Sequence, residues 1–267
     1  MSIYEDTFLM IYCCMIAGIL GAVLGSFLNC AAFRISRGES FFGGHSRCPS
    51  CGHDLGVLDL VPIFSWLFLG GKCRYCKTKI SARYPITEGL FALMTVLCLL
   101  KFDLSAECLR NLIFGCCLFS LSLVDLEVLI IPNGCLLTAA AAWFLALPFM
   151  KMGMGDVLLH LLSALLYGGG LLMLSLAADR ILNKESLGGG DIKLFAVMGL
   201  YLGMTASLFA LLLSCILGLI FAFGRKWIPV GEGEHFPFGP AIAAATWIML
   251  LYGQPLVNWY LQFAGLG

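Results

Sequence analysis

Two aspartates stand where long apolar segments end, and their type and position make them candidates for acid–base chemistry. Asp125 lies in the segment LVDLEVLIIPN and Asp191 lies in LGGGDIKLF. A charge at the depth of the hydrocarbon costs about 2.5–3.5 kcal/mol, so acids kept there are functional candidates. Two carboxylates a few ångströms apart share one proton, which lets one accept a proton from water while the other polarises a carbonyl. If both face the same side of a membrane, we expect a two-carboxylate hydrolytic site.

The residues around Asp191 suit a loop that a substrate approaches closely. Gly188, Gly189 and Gly190 let the backbone turn freely and leave room beside it, so we predict a substrate-proximal loop. Lys193 follows on this loop but is not expected to share a helix face with Asp191, and lipid headgroups are its expected neighbours. The plain alternative for both aspartates is a role as interfacial caps or as charges that reach water.

Four of the thirteen cysteines form two Cys-x-x-Cys pairs, CPSC and CRYC. Two such pairs match a tetrahedral zinc site made of four thiolates, with redox pairs as the alternative. Four thiolates leave no open position for a substrate, so we expect one structural Zn²⁺ per chain. His45 and His53 flank the first pair and are competing candidate ligands. The predicted ligands are Cys48, Cys51, Cys73 and Cys76.

The composition indicates that membrane helices position these residues. The chain has 267 residues, of which 60% are hydrophobic and only 12% charged, with a mean hydropathy of +0.95. Spanning the hydrocarbon takes about 20 apolar residues, and a helix satisfies its own backbone there. We therefore predict an all-α polytopic membrane protein. Long windows without Asp, Glu, Lys or Arg cover residues 7–33, 128–150, 157–178, 194–224 and 235–267.

The distribution of charge predicts which way the helices run. Residues 34–85 hold eight of the sixteen Lys and Arg residues but only three acids, which places this segment in the cytoplasm and the N-terminus outside. The basic excess is also suited to attracting acidic lipid headgroups. If the remaining apolar segments cross the membrane in alternating directions, and 194–224 is split into two helices near Gly203, then Asp125 and Asp191 both lie at the cytoplasmic face. The resulting eight spans lie near 8–28, 86–101, 109–124, 133–150, 157–180, two halves of 194–224, and 238–262.

The sequence Gly-x-Gly-Asp occurs twice, and the threading separates the two copies. Gly153-Met154-Gly155-Asp156 falls on the outer face, where Asp156 is expected to be a solvated residue or a helix cap. The copy that ends at Asp191 falls on the inner face. In the first helix, Gly21 and Gly25 form a GxxxG pair that predicts a closely packed neighbouring helix.

The order of these motifs resembles the type IV prepilin peptidases, a family of Gly-x-Gly-Asp intramembrane aspartic proteases that are also called prepilin leader peptidase/N-methyltransferases. The resemblance covers most of the chain, and it is the succession of motifs that makes it specific. The matching motifs are GSFLN at 25–29 followed by Arg34, the two Cys-x-x-Cys pairs, DLVP at 59–62 with Ser65-Trp66, ISARYP at 80–85 with Glu88, Asp125 with Ile131-Pro132, GGGDIK at 188–193, and FGP at 238–240.

The resemblance implies three regions: a first transmembrane helix at 1–33, a cytoplasmic zinc-binding insert at 34–85, and a multi-helix protease domain at 86–267. It implies that Asp125 and Asp191 are the catalytic pair. The implied substrate is a type IV prepilin or a type II secretion pseudopilin precursor, whose short basic leader is cut after a glycine at the cytoplasmic face of the bacterial inner membrane.

A second activity is implied by the resemblance alone. Family members with this insert commonly methylate the new N-terminal amine with S-adenosylmethionine, which would place the methyltransferase-related region at 34–88. No residue of this sequence is assigned to that methyl donor. Asn133 and Ser36 depart from the family pattern, since many relatives have aspartate and proline there.

Three other functions fit parts of the sequence. One is a related Gly-x-Gly-Asp protease acting on other signal peptides, and another is a transporter with buried carboxylates, although we find no internal repeat. A membrane-anchored zinc adaptor would leave the aspartates without a role. The expected partners are the precursor substrate and membrane lipid, with no nucleic acid, and the sequence leaves the oligomeric state open.

Overall fold

The computed structural model describes residues 3–39, 46–183, 186–225, 237–263 and 265. Over these residues the regular structure is helical, apart from two isolated β-bridges, and there is no strand. The all-α prediction is therefore confirmed. The α-helices are α1 (Thr7–Ile35), α2 (Phe64–Phe68), α3 (Arg83–Phe102), α4 (Ala106–Val128), α5 (Asn133–Ala146), α6 (Met154–Leu182), α7 (Gly189–Arg225) and α8 (Gly239–Phe263).

The chain divides into two compact units, Met1–Leu112 and Ile113–Gly267. In the first unit, α1 and α3 run antiparallel and pack along one another. A Cβ at Gly21 would lie 2.6 Å from the Thr95 hydroxyl oxygen, so the predicted GxxxG contact is confirmed. Close approach of this kind brings backbone and small side chains into van der Waals contact where lipid offers no hydrophobic drive for association.

Helix α1 is longer than expected and carries the chain into the insert. It begins after Asp6, whose carboxylate accepts the N–H of Phe8 at 2.8 Å, and it continues to Ile35 instead of ending near residue 28. The buried Asn29 amide donates to the Gly25 carbonyl and to the Thr87 hydroxyl. These bonds let the polar end of α1 remain helical against α3, because the buried amide group is satisfied.

In the second unit, α7 packs against α5, α6 and α8. Small residues again allow close approach, since a Cβ at Gly199 would lie 2.8 Å from the Ser163 carbonyl oxygen on α6. The Tyr201 hydroxyl of α7 donates to the Ala139 carbonyl of α5 at 2.8 Å. Helix α7 therefore contacts three neighbouring helices, and these contacts hold its first turn, which carries Asp191, in place.

Six of the described helices are long and apolar enough to cross a membrane, and the helix with its following turn at Asn133–Phe149 is shorter. The backbone of α7 breaks at Gly203, where φ is 73° and ψ is −173°, as the sequence predicted. Beside the break, the His160 ring lies 2.8 Å from the Leu200 carbonyl oxygen. With α7 counted as two halves and the shorter helix included, the described residues form eight apolar helical segments. The chain is a multi-pass membrane protein.

Candidate active site

Asp125 lies in the last turn of α4, and only 5% of its surface is exposed. Its Oδ2 accepts the backbone N–H of Gly239, the first residue of α8, at 2.9 Å. A Cβ at Gly239 would lie 2.7 Å from that same oxygen, closer than real Cβ contacts come. The glycine therefore allows α8 to begin directly on the carboxylate, which leaves the other carboxylate oxygen for a second partner.

Asp191 lies in the first turn of α7 and is partly exposed. It lies at the same end of the second unit as Asp125, since Ile131, six residues after Asp125, packs against Gly190. The C-terminal end of α4 and the N-terminal ends of α7 and α8 thus meet at one end of the second unit. The N-terminus of a helix carries partial positive charge, so α7 and α8 both favour negative charge at this place.

Gly189 and Gly190 do not form the predicted loop, because α7 begins at Gly189 and both lie in its first turn. The segment that follows Asp125 packs against this turn. A Cβ at Gly190 would lie 2.9 Å from the Cβ of the buried Ile131, so a side chain at this position would push the start of α7 away. Lys193 donates to the Asn133 side-chain oxygen at 3.0 Å, which links α7 to the start of α5. The structure thus gives Lys193 a protein partner in addition to the expected lipid environment, and the partner is the residue that departs from the family pattern.

The other Gly-x-Gly-Asp copy, at residues 153–156, lies at the end of α6 that is far from Asp191. Asp156 is exposed and accepts the N–H of Gly153 at 3.0 Å, which caps the start of α6 as predicted. One turn later His160 packs beside Gly203. Because Gly203 follows Asp191 by twelve residues, His160 is about 18 Å from Asp191 along the axis of α7 at 1.5 Å per residue, and Asp156 lies about one turn farther away.

The four predicted cysteine ligands converge in the first unit. Their sulfur atoms all lie within 4.8 Å of one another, and the Sγ atoms of Cys48 and Cys76 are 3.8 Å apart. A tetrahedral Zn²⁺ with Zn–S bonds of about 2.3 Å places its sulfurs about 3.8 Å apart. The cluster therefore fits one zinc ion held by Cys48, Cys51, Cys73 and Cys76.

The two halves of this cluster have the same backbone design. The N–H of Gly52 donates to the Cys48 carbonyl at 2.9 Å, and the N–H of Lys77 donates to the Cys73 carbonyl at 3.0 Å. Both donors have positive φ, 70° for Gly52 and 61° for Lys77. Each Cys-x-x-Cys pair is therefore closed by a residue in the left-handed region, which glycine adopts easily and lysine at some strain.

Of the two flanking histidines, only His53 lies in the described part of the chain, and it is not in the cluster. The His53 ring packs on Tyr75 with 3.6 Å between ring centroids, and His45 lies outside the described residues. Hydrogen bonds with Thr78 lower the pKa of the Cys76 thiol to about 6, whereas the pKa of the Cys51 thiol is about 11, since its backbone hydrogen bond with His53 is outweighed by burial and the neighbouring thiols. A thiol that ionises near neutral pH is suited to metal binding, because the thiolate is the form that binds.

Three motif residues that the sequence analysis left without a role fold the insert. The Asp59 carboxylate accepts from Arg74 at 2.6 Å and from Tyr75 at 3.2 Å. Burial raises the pKa of Asp59, but the bond and charge of Arg74 outweigh it, and the pKa lies below its usual value. The Trp66 indole N–H donates to the Ile80 carbonyl at 3.1 Å.

The third of these residues, Glu88, joins the insert to α3. It is buried, and its carboxylate accepts the N–H of Ile63 at 2.7 Å. Ile63 has φ of 62°, a rare conformation for a β-branched residue. The bond from Glu88 fixes this strained turn at the start of α2.

Sequence reasoning also gave no role to Gly239 or Ile131, which contact the two aspartate loops. Gly239 lies 114 residues after Asp125, so no local periodicity connects them. The only signal in the sequence was that FGP and Ile-Pro recur as motifs in the expected order. These motifs marked Gly239 and Ile131 as part of the family pattern, and the structure shows that they contact Asp125 and Gly190.

Comparison with known proteins gives matches to both units. A family model for the bacterial peptidase A24 N-terminal domain matches residues 19–102, and one for the type IV leader peptidase family matches residues 112–223. A prepilin leader peptidase/N-methyltransferase of Aeromonas salmonicida is 36% identical over 222 residues, covering 81% of this chain and 74% of the relative.

Two more relatives with the same name align over longer stretches. That of Bacillus subtilis is 32% identical over 249 residues, covering 92% of this chain and 97% of the relative. That of Pseudomonas aeruginosa is 30% identical over 279 residues, covering 92% and 93%. No solved structure matches the chain. Because the similarity runs through the cysteine insert and both aspartate loops and spans nearly the whole of these relatives, the chain belongs to the type IV leader peptidase family.

Proposed function

We propose that this chain removes the leader peptide from type IV prepilin or pseudopilin precursors, with Asp125 and Asp191 as the catalytic pair. The observation that supports the proposal is that the helix ends holding Asp125 and Asp191 come together in the second unit, where Asp125 accepts the Gly239 N–H and Ile131 packs against Gly190. Membership of the leader peptidase family supports this function over a transporter, and it supports prepilin over other signal peptides.

The geometry suits hydrolysis without a covalent intermediate. In the proposed reaction the two carboxylates approach one another and share one proton, because two carboxylates a few ångströms apart do not both ionise readily. The ionised member takes a proton from water, and the oxygen of that water attacks the scissile carbonyl carbon. The protonated member gives its proton to the carbonyl oxygen, and the tetrahedral intermediate then collapses with proton transfer to the leaving amine. The Gly239 N–H holds Asp125 in one orientation throughout.

The proposed orientation places the N-terminus outside the bacterial cytoplasmic membrane, and it places the insert and the aspartates at the cytoplasmic face. The basic excess of residues 34–85 supports this direction. A precursor with a basic cytoplasmic leader followed by an apolar helix would present its cleavage site at that interface. Gly188 and the first turn of α7 at Gly189 and Gly190 are the proposed place of approach, since a substrate strand can lie against a backbone without side chains.

We further propose that the chain methylates the newly exposed N-terminal amine, with S-adenosylmethionine as the co-substrate and residues 34–88 as the location. A structural Zn²⁺ on the four cysteines would cross-link two loops of an insert too small to form a large core. The carboxylates of Asp59 and Glu88 are engaged within this region, which indicates that they shape the insert. Names of the relatives support the methyltransferase activity.

The test uses the purified full-length protein and a model prepilin, with and without S-adenosylmethionine, and measures the intact mass of the product. We expect loss of the leader in both reactions and the added mass of one methyl group only when the donor is present. Asp125→Asn should abolish leader removal at unchanged protein level. Near-normal cleavage by this variant would rule out the catalytic pair.

Zinc has its own readout. Cys48→Ser and Cys73→Ser should each lower the zinc content of the purified protein below one ion per chain, measured by elemental analysis. Cys116→Ser, which changes a cysteine of α4 that is not part of the cluster, is the matched control and should keep the ion. One zinc per chain in both ligand variants would contradict the four-thiolate site.

A further inference from the structure

Two other thiols face one another at the end of the first unit that lies away from the insert. Cys98 is near the end of α3, and Cys108 is in the first turn of α4. Their Sγ atoms are 3.9 Å apart, and the Cys98 sulfur is 3.6 Å from the Cys108 carbonyl oxygen. This pair is not part of the zinc cluster or of the aspartate site.

The turn between these helices holds both thiols in place. The Ser105 hydroxyl accepts the N–H of Cys108 at 3.1 Å and donates to the Phe102 carbonyl at 2.7 Å. The Asp103 carboxylate accepts the N–H of Ile3 at 3.2 Å, which ties the turn to the start of the chain. A disulfide has an S–S distance of about 2.04 Å, so the sulfurs need to approach by about 1.9 Å, a movement within reach of side-chain rotation.

The two groups of cysteines lie at opposite ends of α3. The zinc ligands precede the start of α3 at Arg83, whereas Cys98 is four residues before its end at Phe102. In the proposed orientation the zinc cluster is in the reducing cytoplasm, and the Cys98 end is on the outer side, where disulfides persist. The same chain thus needs reduced thiols at one end and permits oxidised ones at the other.

We propose that Cys98 and Cys108 form a disulfide that ties α3 to the start of α4; the inference depends on the orientation given under the proposed function. Cys98 is fully buried and Cys108 is partly exposed, so Cys108 is the thiol that an external oxidant reaches first. The Cys108 thiolate attacks a disulfide of an extracytoplasmic thiol oxidase and forms a mixed disulfide. The Cys98 thiolate then displaces the oxidant as a dithiol, so two electrons and two protons leave this pair.

The chain sequence makes the bond easy to detect. Cells expressing the full-length protein are treated with a membrane-permeant thiol-alkylating reagent before lysis, and the purified protein is digested with trypsin without reduction. Cleavage after Arg83, Lys101 and Arg110 places Cys98 in the peptide 84–101 and Cys108 in the peptide 102–110, each with no other cysteine. We expect the two peptides to be joined and to separate on reduction.

Single variants identify the partners. In Cys98→Ser the peptide 102–110 should carry the alkyl group, and in Cys108→Ser the peptide 84–101 should carry it. A host without its extracytoplasmic thiol oxidase should yield the unlinked, alkylated peptides from the unchanged chain. Alkylation of both peptides from the unchanged chain in the normal host would overturn the proposal.

The zinc cysteines and the peptidase assay separate this inference from the proposed function. Alkylated in denaturant with a chelator, the peptides containing Cys48, Cys51, Cys73 and Cys76 should carry alkyl groups. A linked CPSC or CRYC pair beside alkylated Cys98 and Cys108 would overturn the disulfide and the orientation together. If the unchanged chain from the normal host is unlinked but removes the leader, the disulfide alone is overturned, and a linked chain without leader removal would overturn the peptidase alone.

Discussion

The two Gly-x-Gly-Asp copies have the same local structure and different surroundings. In both, the first glycine precedes a helix, and the aspartate lies in its first turn, in α6 for Asp156 and in α7 for Asp191. Asp156 is exposed, and its described bond is to the N–H of Gly153. Asp191 lies at the same end of the second unit as a second carboxylate, that of Asp125.

The glycines before the two aspartates differ in the same way. A Cβ at Gly155 would meet nothing within 4 Å, whereas one at Gly190 would meet Ile131 at 2.9 Å. The motif alone therefore specifies a capped helix start. Only the copy that ends at Asp191 also packs against distant segments near α4 and α8, and this packing makes its aspartate a candidate catalytic residue. The two copies therefore form a matched pair for testing the proposed function.

The largest expected difference is between the two aspartates themselves. Asp191→Asn should reduce leader removal by about 10²–10⁴-fold or more, because a residue that transfers a proton in the reaction is lost. Asp156→Asn should cleave as the unchanged chain does, since its amide oxygen can still accept the N–H of Gly153. Cleavage rates of both purified variants decide this, and an inactive Asp156→Asn variant would reverse the assignment.

Gly239→Ala should have the next largest effect. A Cβ would lie 2.7 Å from Oδ2 of Asp125, so the carboxylate or the start of α8 has to shift. A misplacement of about 1 Å lowers catalysis by about 10²-fold. The measurement is kcat on the model prepilin at matched protein level. Gly170→Ala, where the added Cβ meets nothing within 4 Å, is the control and should cleave normally.

The glycine before each aspartate gives a smaller, matched contrast. Gly190→Ala should slow cleavage about tenfold, because Ile131 must give way by a few tenths of an ångström and carries the loop with it. Gly155→Ala should leave the rate unchanged. A further variant, Gly190→Ala with Ile131→Ala, should recover part of the rate, and no recovery would argue against this contact as the cause.

The smallest effect is expected for the bond between Lys193 and Asn133. Its loss in Lys193→Met should slow cleavage only a few-fold, since one hydrogen bond contributes about 0.5–1.5 kcal/mol. Asn133→Ala should lose a similar amount, and the double variant no more than either single one. Asn133→Asp should keep the rate, because aspartate also accepts from Lys193. Additive losses would show that the two residues act separately.

Features with a local or chemical signature could be predicted from the sequence. The cysteine spacing predicted the four converging sulfurs, the apolar windows predicted the helices, and the glycine within an overlong window predicted the break at Gly203. Chain order and charge also favoured Asp191 over Asp156 as the catalytic residue, which stays a prediction. Each of these depends on residues that are near neighbours in the chain or on the cost of a charge in lipid.

Contacts between distant segments could not be predicted. The Gly239 N–H on Asp125 joins the ends of two helices, and no periodicity connects residues that far apart. The extension of α1 to Ile35 depends on Asn29 finding Thr87 on α3, which is equally invisible locally. A disulfide between Cys98 and Cys108 is likewise suggested only once α3 and α4 are placed, since their spacing matches no known motif.

The break at Gly203 separates the first half of α7 from the second. The first half extends about 18 Å from Gly203 to Asp191, at 1.5 Å per residue. Tilting this helix segment by about 3° about Gly203 would move Asp191 by about 1 Å, a displacement that lowers catalysis about 10²-fold. A small change in the bend at Gly203, where the His160 ring and the Leu200 carbonyl meet, would therefore change the spacing of the two acids.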